Sequence, residues 1–557
     1  MKTQLRLLRS FFSLLKPSIP MLARAGFLAV ALMLLELGKP YLTGMLVDMA
    51  GRGEFSALFY RYVAALGALF LFAELAAVGK TLAMKGVTSK LQLSLSVKTF
   101  ASLYRRPLSV SARKSPGESF YQATQDVDRV SSFMTETAAQ IPYIALRVLL
   151  TIGIMLKLNP QLALLAVILL PLMLLPQHFL KKKMLDTWES LIDSAQNFYS
   201  LSEELFAGTY LVKAMGREKA ALRRFCGRLT AALRMEIAGL RVSSWLGMAS
   251  RLAALLGAAL FIFYALFLMR QGLLSFGALA ALAIYIMQLN SLAAQAAEAV
   301  PDLALGLLSC RRLEDIFSSP TETGTQPVPV RAGAVEFKSV SFAYADGKQV
   351  LNGASFSVEA GKHTVLLGPS GCGKTTVFNL LLGLYSPQSG SVEIDGAGVS
   401  GPRPNIGVAP QESYFWNDTV RNNLLFASPK AAPEELDAVL SVVGLKEFSD
   451  SLPQGMDTPL GHNAATLSRG QKQRLAIARA LLTRPALLLL DEALSSLDMA
   501  SERLILDAVR REYPGLAIIS AAHRPQSALM ADAACIFDGM GGVRSGLSPE
   551  QALSANR

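Results

Sequence analysis

The feature that most restricts what this chain can fold into is a series of apolar stretches near residues 25–47, 57–79, 138–156, 159–180, 244–269 and 276–300. Each is long enough to cross a hydrocarbon layer of about 30 Å as a helix, so six spans are expected. Composition agrees, since 52% of the 557 residues are hydrophobic, too many for an ordinary soluble enzyme. The formal charge of +12 would also suit a nucleic-acid binder. Here the basic residues flank apolar runs, which is the balance of a membrane protein with basic cytoplasmic loops, and no nucleic-acid partner is expected.

The gaps between spans are uneven. Short ones lie at 48–56, at Asn159-Pro160 and at 270–275, whereas long polar helical stretches occupy 80–137 and 181–243. Lys80, Lys85, Lys90, Lys98, Arg105, Arg106, Arg113 and Lys114 load the first long loop, and Lys181 to Lys183 open the second. The positive-inside rule therefore puts both long loops and both termini in the cytosol. Each long loop has a turn-like apex, at Arg113-Lys-Ser-Pro-Gly-Glu118 and around Gly208. Residues 1–17 mix Leu5, Leu7, Leu8, Phe11 and Phe12 with basic residues, a pattern suited to an elbow helix lying on the inner membrane surface rather than to a cleaved leader.

Residues 18–317 form the expected transmembrane domain. Residues 318–332 are rich in Pro, Gly, Ser and Thr without helical periodicity and read as a linker. From 333 to 557, short β-rich runs such as Val335-Glu-Phe337 and His363-Thr-Val-Leu-Leu367 alternate with helical patterns, the signature of an α/β domain with a largely parallel sheet. The four cysteines, Cys226, Cys310, Cys372 and Cys535, contain no C-x-x-C and suggest no disulfide framework.

Within that α/β domain, Gly368-Pro-Ser-Gly-Cys-Gly-Lys-Thr-Thr376 fits G-x-x-x-x-G-K-[ST]. It follows a strand pattern and precedes an apolar helix. Its glycines let backbone N–H groups wrap phosphates, its lysine reaches the β/γ oxygens and its hydroxyl holds Mg²⁺. Four leucines, Leu487 to Leu490, then lead into Asp491-Glu492, as in a buried parallel strand delivering two carboxylates to a sheet edge.

Leu467-Ser-Arg-Gly-Gln471 resembles the signature of ATP-binding-cassette (ABC) proteins, and the chain as a whole is similar to an exporter-type (type IV) half-transporter. That layout is an all-α six-helix transmembrane domain followed by an α/β P-loop ABC ATPase domain. The stretch Glu204 to Gly208, followed by Val212 to Glu218, resembles the family's coupling-helix region. The resemblance implies ATP and Mg²⁺ as cofactors, with Gly368, Pro369, Ser370, Gly371, Cys372, Gly373, Lys374, Thr375 and Thr376 around the phosphates and Tyr344 stacking on adenine. Gln411 matches the Q-loop glutamine, which meets both the metal and the attacking water. Thr375, Gln411 and Asp491 are the implied metal ligands, Glu492 the residue that polarises the water, and His523 the switch histidine. Ser468, Gly470 and Gln471, with Asp498 in the D-loop, are expected at the nucleotide of a second copy of the chain or of a paralogous half-transporter. Two positions depart from the family pattern: Arg469 replaces a signature glycine, and His462 stands where exporters carry a glutamate thought to touch coupling helices.

The expected function is ATP-driven transport by alternating access, exporting a small amphipathic substrate such as a peptide, lipid or drug-like molecule. A multi-pass protein of the bacterial inner membrane is implied, in contact with membrane lipids, its ATPase domain cytosolic. Glu36, Lys39, Glu74, Arg147, Arg251, Gln288, Gln295 and Glu298 lie in or beside the spans and should face a cavity or each other. Three readings stay open beside export: an exporter-fold importer of metal-siderophore chelates, an ATP-binding receptor or regulator that transports nothing, and a soluble ABC protein acting on ribosomes or DNA.

Overall fold

The structure is a computed structural model that describes residues 11, 14–111, 116–319, 329–344, 347–399, 401, 405–461, 464–539 and 541–555, without the side chains of 111, 116, 170, 172–185, 188–189, 297–298 and 301. Two compact units emerge. One comprises Met1–Arg106 with Arg113–Ser319, the other Pro107–Ala112 with Pro320–Arg557.

The first unit is helical. Its long elements are α1 (Ile19–Gly51), α2 (Ala57–Tyr104), α3 (Ala138–Leu158), α4 (Pro160–Ala207), α5 (Glu218–Arg270) and α6 (Phe276–Phe317). The helical path into α3 begins at Pro116 and contains two π-turns, Gln122–Asp126 and Phe133–Thr137. At 48 residues, α2 and α4 would each reach about 70 Å, more than twice the hydrocarbon thickness, so they continue far beyond a bilayer. Among the described residues, five helical stretches are long and apolar enough to cross a membrane. The expected span at 159–180 opens α4, where Pro160–Leu169 is apolar and most of the following side chains lie outside the described residues.

The membrane-side turns fall where the short gaps were expected. Asn159 caps α4 by accepting from the amides of Gln161 and Leu162, both at 3.1 Å, which also explains Pro160 at the first helical position. Ser275 caps α6 and donates to Asp48 Oδ2 at 2.7 Å, while the Gly277 amide donates to Asp48 Oδ1 at 2.6 Å. Here α1 and α6 approach so closely that a Cβ on Gly277 would lie 2.1 Å from the Gly44 carbonyl oxygen.

Two short helices interrupt the long loops in sequence, Leu108–Ser111, which belongs to the second unit, and Thr209–Ala214, which belongs to the first. The latter helix buries no residue, and Tyr210 is 86% exposed. Met33, Leu37, Met155, Phe261, Leu282 and Tyr285 form a core among the spans. Large apolar side chains such as Phe27, Leu71, Leu149 and Phe263 point outward, as lipid contact requires. Phe11 and Leu15 pack on a separate cluster with Val87, Leu95 and Val130, whereas most of the expected 1–17 helix lies outside the described residues.

Three charged groups in the spans pair, whereas Glu74, expected to face a cavity or a partner, does not among the described residues. Glu36 binds both Lys39 and, at 3.5 Å, Arg147. Gln288 donates to the Glu36 carbonyl at 3.3 Å, Gln295 to Ser291 at 3.3 Å, and Arg251 Nε to the Gly247 carbonyl at 3.3 Å. Glu74 lies on an exposed face of α2, and the Glu298 side chain is outside the described residues.

The second unit contains two sheets. The smaller is antiparallel, in the order β2 (Gln349–Val358), β1 (Val335–Ala343), β4 (Ser389–Ile394), β5 (Ala397–Gly398). The larger runs β10 (Val543–Leu547), β9 (Ala533–Phe537), β3 (His363–Leu367), β8 (Ala517–Ala522), β7 (Leu487–Asp491), β6 (Ile406–Ala409), parallel except for the β10–β9 pair. Every residue of β3 and β7 is buried, which is why β7 opens with four leucines in a row and β3 ends in Val365, Leu366 and Leu367 rather than alternating. Phe337 and Phe356 stack at 4.4 Å in the core beneath the small sheet. Of the linker, 320–328 lies outside the described residues, as does His462, while Val330 is buried in this core. All four cysteines are free.

Candidate active site

Four neighbouring parallel strands end at one edge of the large sheet, and register aligns their tips. Leu367 of β3 pairs with Ala522 of β8, Ala521 with Asp491 of β7, and Leu490 with Ala409 of β6. The segment after each tip carries one of the expected motifs, so residues scattered from 368 to 523 converge because the sheet is parallel.

After β3 the chain turns through Gly368 to Gly373 into helix α7 (Lys374–Leu381). Gly368 has φ +152° and Gly373 φ +109°, and a Cβ would meet Cys372 Sγ at 2.8 Å from the first and Val350 Cγ1 at 2.8 Å from the second. Both positions therefore require glycine for conformation and for space. Pro369, Ser370 and Gly371 form the outer part of the loop, while Cys372, Lys374 and Thr376 are buried. The Lys374 ammonium lies within the loop, donating to the carbonyls of Gly368 at 2.8 Å and Pro369 at 3.1 Å. Tyr344 shares a 3.0 Å hydrogen bond with the Thr376 hydroxyl and meets Phe342 and Tyr385 edge-on, on the rim of the phosphate loop.

Asp491 and Glu492 diverge at the tip of β7. Asp491 is only 5% exposed, and burial pushes its carboxyl above the usual range, with the Thr375 hydroxyl opposing the shift. Its Oδ1 is buried without a hydrogen-bond partner. Glu492 leaves the strand at φ +50°, a left-handed conformation that costs energy in a residue with a Cβ and is typical of functional sites. That turn carries its carboxylate to two partners: Gln411 Nε2 donates to Oε2 at 2.8 Å, and His523 Nε2 contacts Oε1. All three residues assigned catalytic work in the sequence are thus in one cluster.

The signature segment opens helix α8 (Arg469–Leu481) with a reciprocal capping box, Ser468 N to Gln471 Oε1 at 2.8 Å and Gln471 N to Ser468 Oγ at 3.3 Å. Gly470 packs near Leu497, where an added Cβ would come to a tight 3.3 Å from the leucine Cδ2. Asp498 caps helix α9 (Met499–Glu512), accepting from the Ser501 amide at 3.1 Å. Ser468, Gln471 and Asp498 therefore each stabilise a helix start in their own chain, a role the sequence reading did not assign.

Two further residues organise this cluster. Gln473, 4% exposed, donates to the Glu492 carbonyl at 3.2 Å and to Ser495 Oγ at 3.4 Å, and accepts from the Ser496 amide at 3.2 Å. Arg524 donates to the carbonyls of Leu497 and Ser495, both at 3.0 Å. A signal for Gln473 was present, because it falls four residues before Ile477 on the buried stripe of α8. Arg524 had none, being a basic residue in a loop.

The donors present fit Mg²⁺, a hard cation that takes oxygen ligands and shares them with phosphates. A buried carboxylate oxygen lacking a partner on Asp491, the Thr375 hydroxyl and the Gln411 amide supply that chemistry. Among the described residues no group of three or more His, Cys, Asp or Glu could hold a metal alone.

Comparison with known proteins gives matches over both units. The family model for the ABC transporter transmembrane region matches residues 22–292, and that for the ABC transporter matches residues 351–495. An uncharacterised ABC transporter ATP-binding protein of Bacillus subtilis is 30% identical over 78% of this chain and 73% of its own length. A fatty acid ABC transporter ATP-binding/permease protein of Mycobacterium bovis is 29% identical over 87% of this chain and 78% of its own. In fold, the chain is similar to a bacterial Atm1-family ABC exporter solved with ATP bound, with a TM-score of 0.88, 23% identity, and coverage of 97% of this chain and 96% of that one.

Proposed function

The chain belongs to the ABC transporter family as an exporter-type half-transporter, a multi-pass transmembrane domain followed by an ATP-binding cassette, and from that premise we propose that it moves an amphipathic molecule by alternating access as a homodimer. The carrying observation is the Gln411–Glu492–His523 cluster at the sheet edge beside the phosphate loop. It supports hydrolysis of bound ATP rather than nucleotide binding alone, and so speaks against a regulator without turnover.

In this reading the amides of Gly368 to Gly373 cradle the phosphates, Lys374 exchanges its loop carbonyls for the β/γ oxygens, and Tyr344 turns its ring toward adenine. Mg²⁺, held by Thr375, Asp491 and Gln411, would neutralise charge on the β- and γ-phosphates. Glu492 accepts a hydrogen bond from the attacking water, while Gln411 and His523 hold its carboxylate and orient that water toward the γ-phosphorus. Ser468 and the Gly470 amide at the start of α8 meet the γ-phosphate of the second copy, where free N–H groups and the helix dipole favour an anion. Closure of the two cassettes drives the spans to open away from the cytosol, and release of phosphate reverses it.

The basic loading of the two long loops supports an orientation with cassette and termini in the cytosol of a bacterial inner membrane. The fatty acid transporter among the relatives supports an amphipathic cargo. The test is Glu492→Gln in lipid nanodiscs: ATP binding persists while turnover falls by about a thousandfold, the scale of losing the group that orients the nucleophile. Undiminished hydrolysis would remove Glu492 from its role.

A further inference from the structure

Within the helical unit lies a cavity of about 640 Å³, bounded by α1, α2, α3 with its preceding π-turn, and α6. Its size is that of a small-molecule site. Leu22, Val30 and Met33 of α1 and Leu146 of α3 give it apolar lining. Charge and polarity come from Lys80 and Lys85 of α2, Glu136 of the π-turn and Gln140 of α3.

The charges do not cancel. Lys80 lies over the Tyr143 ring, 4.5 Å from its centroid, and among the described residues neither lysine has a carboxylate within ion-pair reach. Glu36, which is outside the lining, is shared by Lys39 and Arg147, and Arg147 is a charged neighbour of Lys80. The cavity lining thus carries two lysines against the single carboxylate of Glu136. Lys85 is exposed, but the Lys80 ammonium is half-buried beside apolar side chains with no anionic partner among the described residues, which is costly, and a ligand that brings a negative group removes that cost.

We propose that this cavity binds an amphiphile with an anionic headgroup, a phosphate or carboxylate on Lys80 and Lys85 and an acyl chain along Leu22, Val30, Met33 and Leu146. The inference rests on the transporter reading and names its substrate class. Lys80, Lys85 and Glu136 lie at the ends of their spans assigned to the cytosol, so the headgroup enters at the level of the inner leaflet. Tyr143 holds the Lys80 ammonium in the cavity until the anion takes it.

The test uses the full chain in phosphatidylcholine nanodiscs, with tetradecyl phosphate, tetradecanol and tetradecyltrimethylammonium as probes and empty discs as background. Tetradecyl phosphate binds selectively; Lys80→Gln and Lys85→Gln each weaken it by about tenfold, the scale of one charge-assisted contact, and Lys80→Arg retains it. Gly26→Leu is a second variant, because Gly26 lines the cavity and an added Cβ there meets nothing within 4 Å, so the leucine takes up part of the space. It weakens binding. Competition by phosphatidylglycerol in the discs identifies a leaflet lipid as occupant, and its failure to compete identifies the free amphiphile; either fits the site. Equal binding of tetradecanol, preference for the ammonium probe, or full affinity in both Lys80→Gln and Gly26→Leu overturns the proposal. Hydrolysis that continues with no headgroup selectivity would remove this inference and leave the transporter reading. Selective binding without any hydrolysis would do the opposite.

Discussion

Acid should loosen the strand that leads into the phosphate loop, through His363. This residue opens β3 and is 2% exposed. Its Nδ1 lies 3.1 Å from the Met530 carbonyl, which can only accept, so the proton resides on Nδ1, and Nε2 accepts from the Ser520 hydroxyl at 2.7 Å. Burial, reinforced by Arg510, pushes the imidazole pKa down to about 4. In the unfolded chain it returns to about 6.5. Because protons then bind the unfolded state more readily, the stability that neutral His363 confers is complete above about pH 6.5 and declines as pH falls toward 4. Between pH 7 and pH 5 the loss is about 2 kcal/mol, or roughly thirtyfold in a local opening equilibrium. Asp491 and Glu502, whose carboxyls burial raises, contribute with the opposite sign, so the wild type alone is not diagnostic. The measurement is hydrogen exchange of the β3 and β8 amides in the full chain at both pH values, corrected for intrinsic rates, against His363→Asn. The variant carries a constant offset, but its difference from wild type should shrink by about 2 kcal/mol on acidification. A difference that is flat from pH 7 to pH 5 would refute the argument.

Replacing Gln473 by Leu should lower kcat while leaving the KM for ATP nearly unchanged, because the amide holds the Glu492 backbone and the following loop rather than nucleotide. A stability loss of about 1–3 kcal/mol should accompany it, and an unaltered kcat would dismiss the positioning role. Gly277→Ala should lower thermal stability by about 1–3 kcal/mol, since the new methyl would strike Gly44 and Asp48 and force α1 from α6. Gly51→Ala, where an added Cβ meets nothing within 4 Å, is the neutral comparison, and equal melting of the two would mean that this contact yields freely.

Much of the architecture was legible because it follows from local pattern. Apolar length announces spans, and the turns at Asn159 and Ser275 lie where polarity breaks the runs. Span ends were less legible. Helices α2, α4 and α5 continue without interruption into polar sequence, since backbone hydrogen bonding does not stop where the bilayer does. Lys39 is three residues from Glu36 on α1, but the second partner of Glu36, Arg147, comes from another helix and no local spacing announces it. In the cassette, residue types and spacing named the phosphate loop and the carboxylate pair. They did not reveal that Ser468, Gln471 and Asp498 cap helices, because a cap and a ligand site use the same hydrogen-bonding groups.

By itself, the sequence determined that the chain enters a membrane, that it carries a glycine-rich G-x-x-x-x-G-K-[ST] loop, and which carboxylates and amides are available for chemistry, because each of these is written within a short window of residues. Only the tertiary structure decided that Gln411, Glu492 and His523 meet, that Gln473 and Arg524 hold the loop beneath them, and that Lys80 and Lys85 share a cavity. Those relations depend on strand order and on the angle at which helices cross, and both are settled by long-range burial that no local pattern contains.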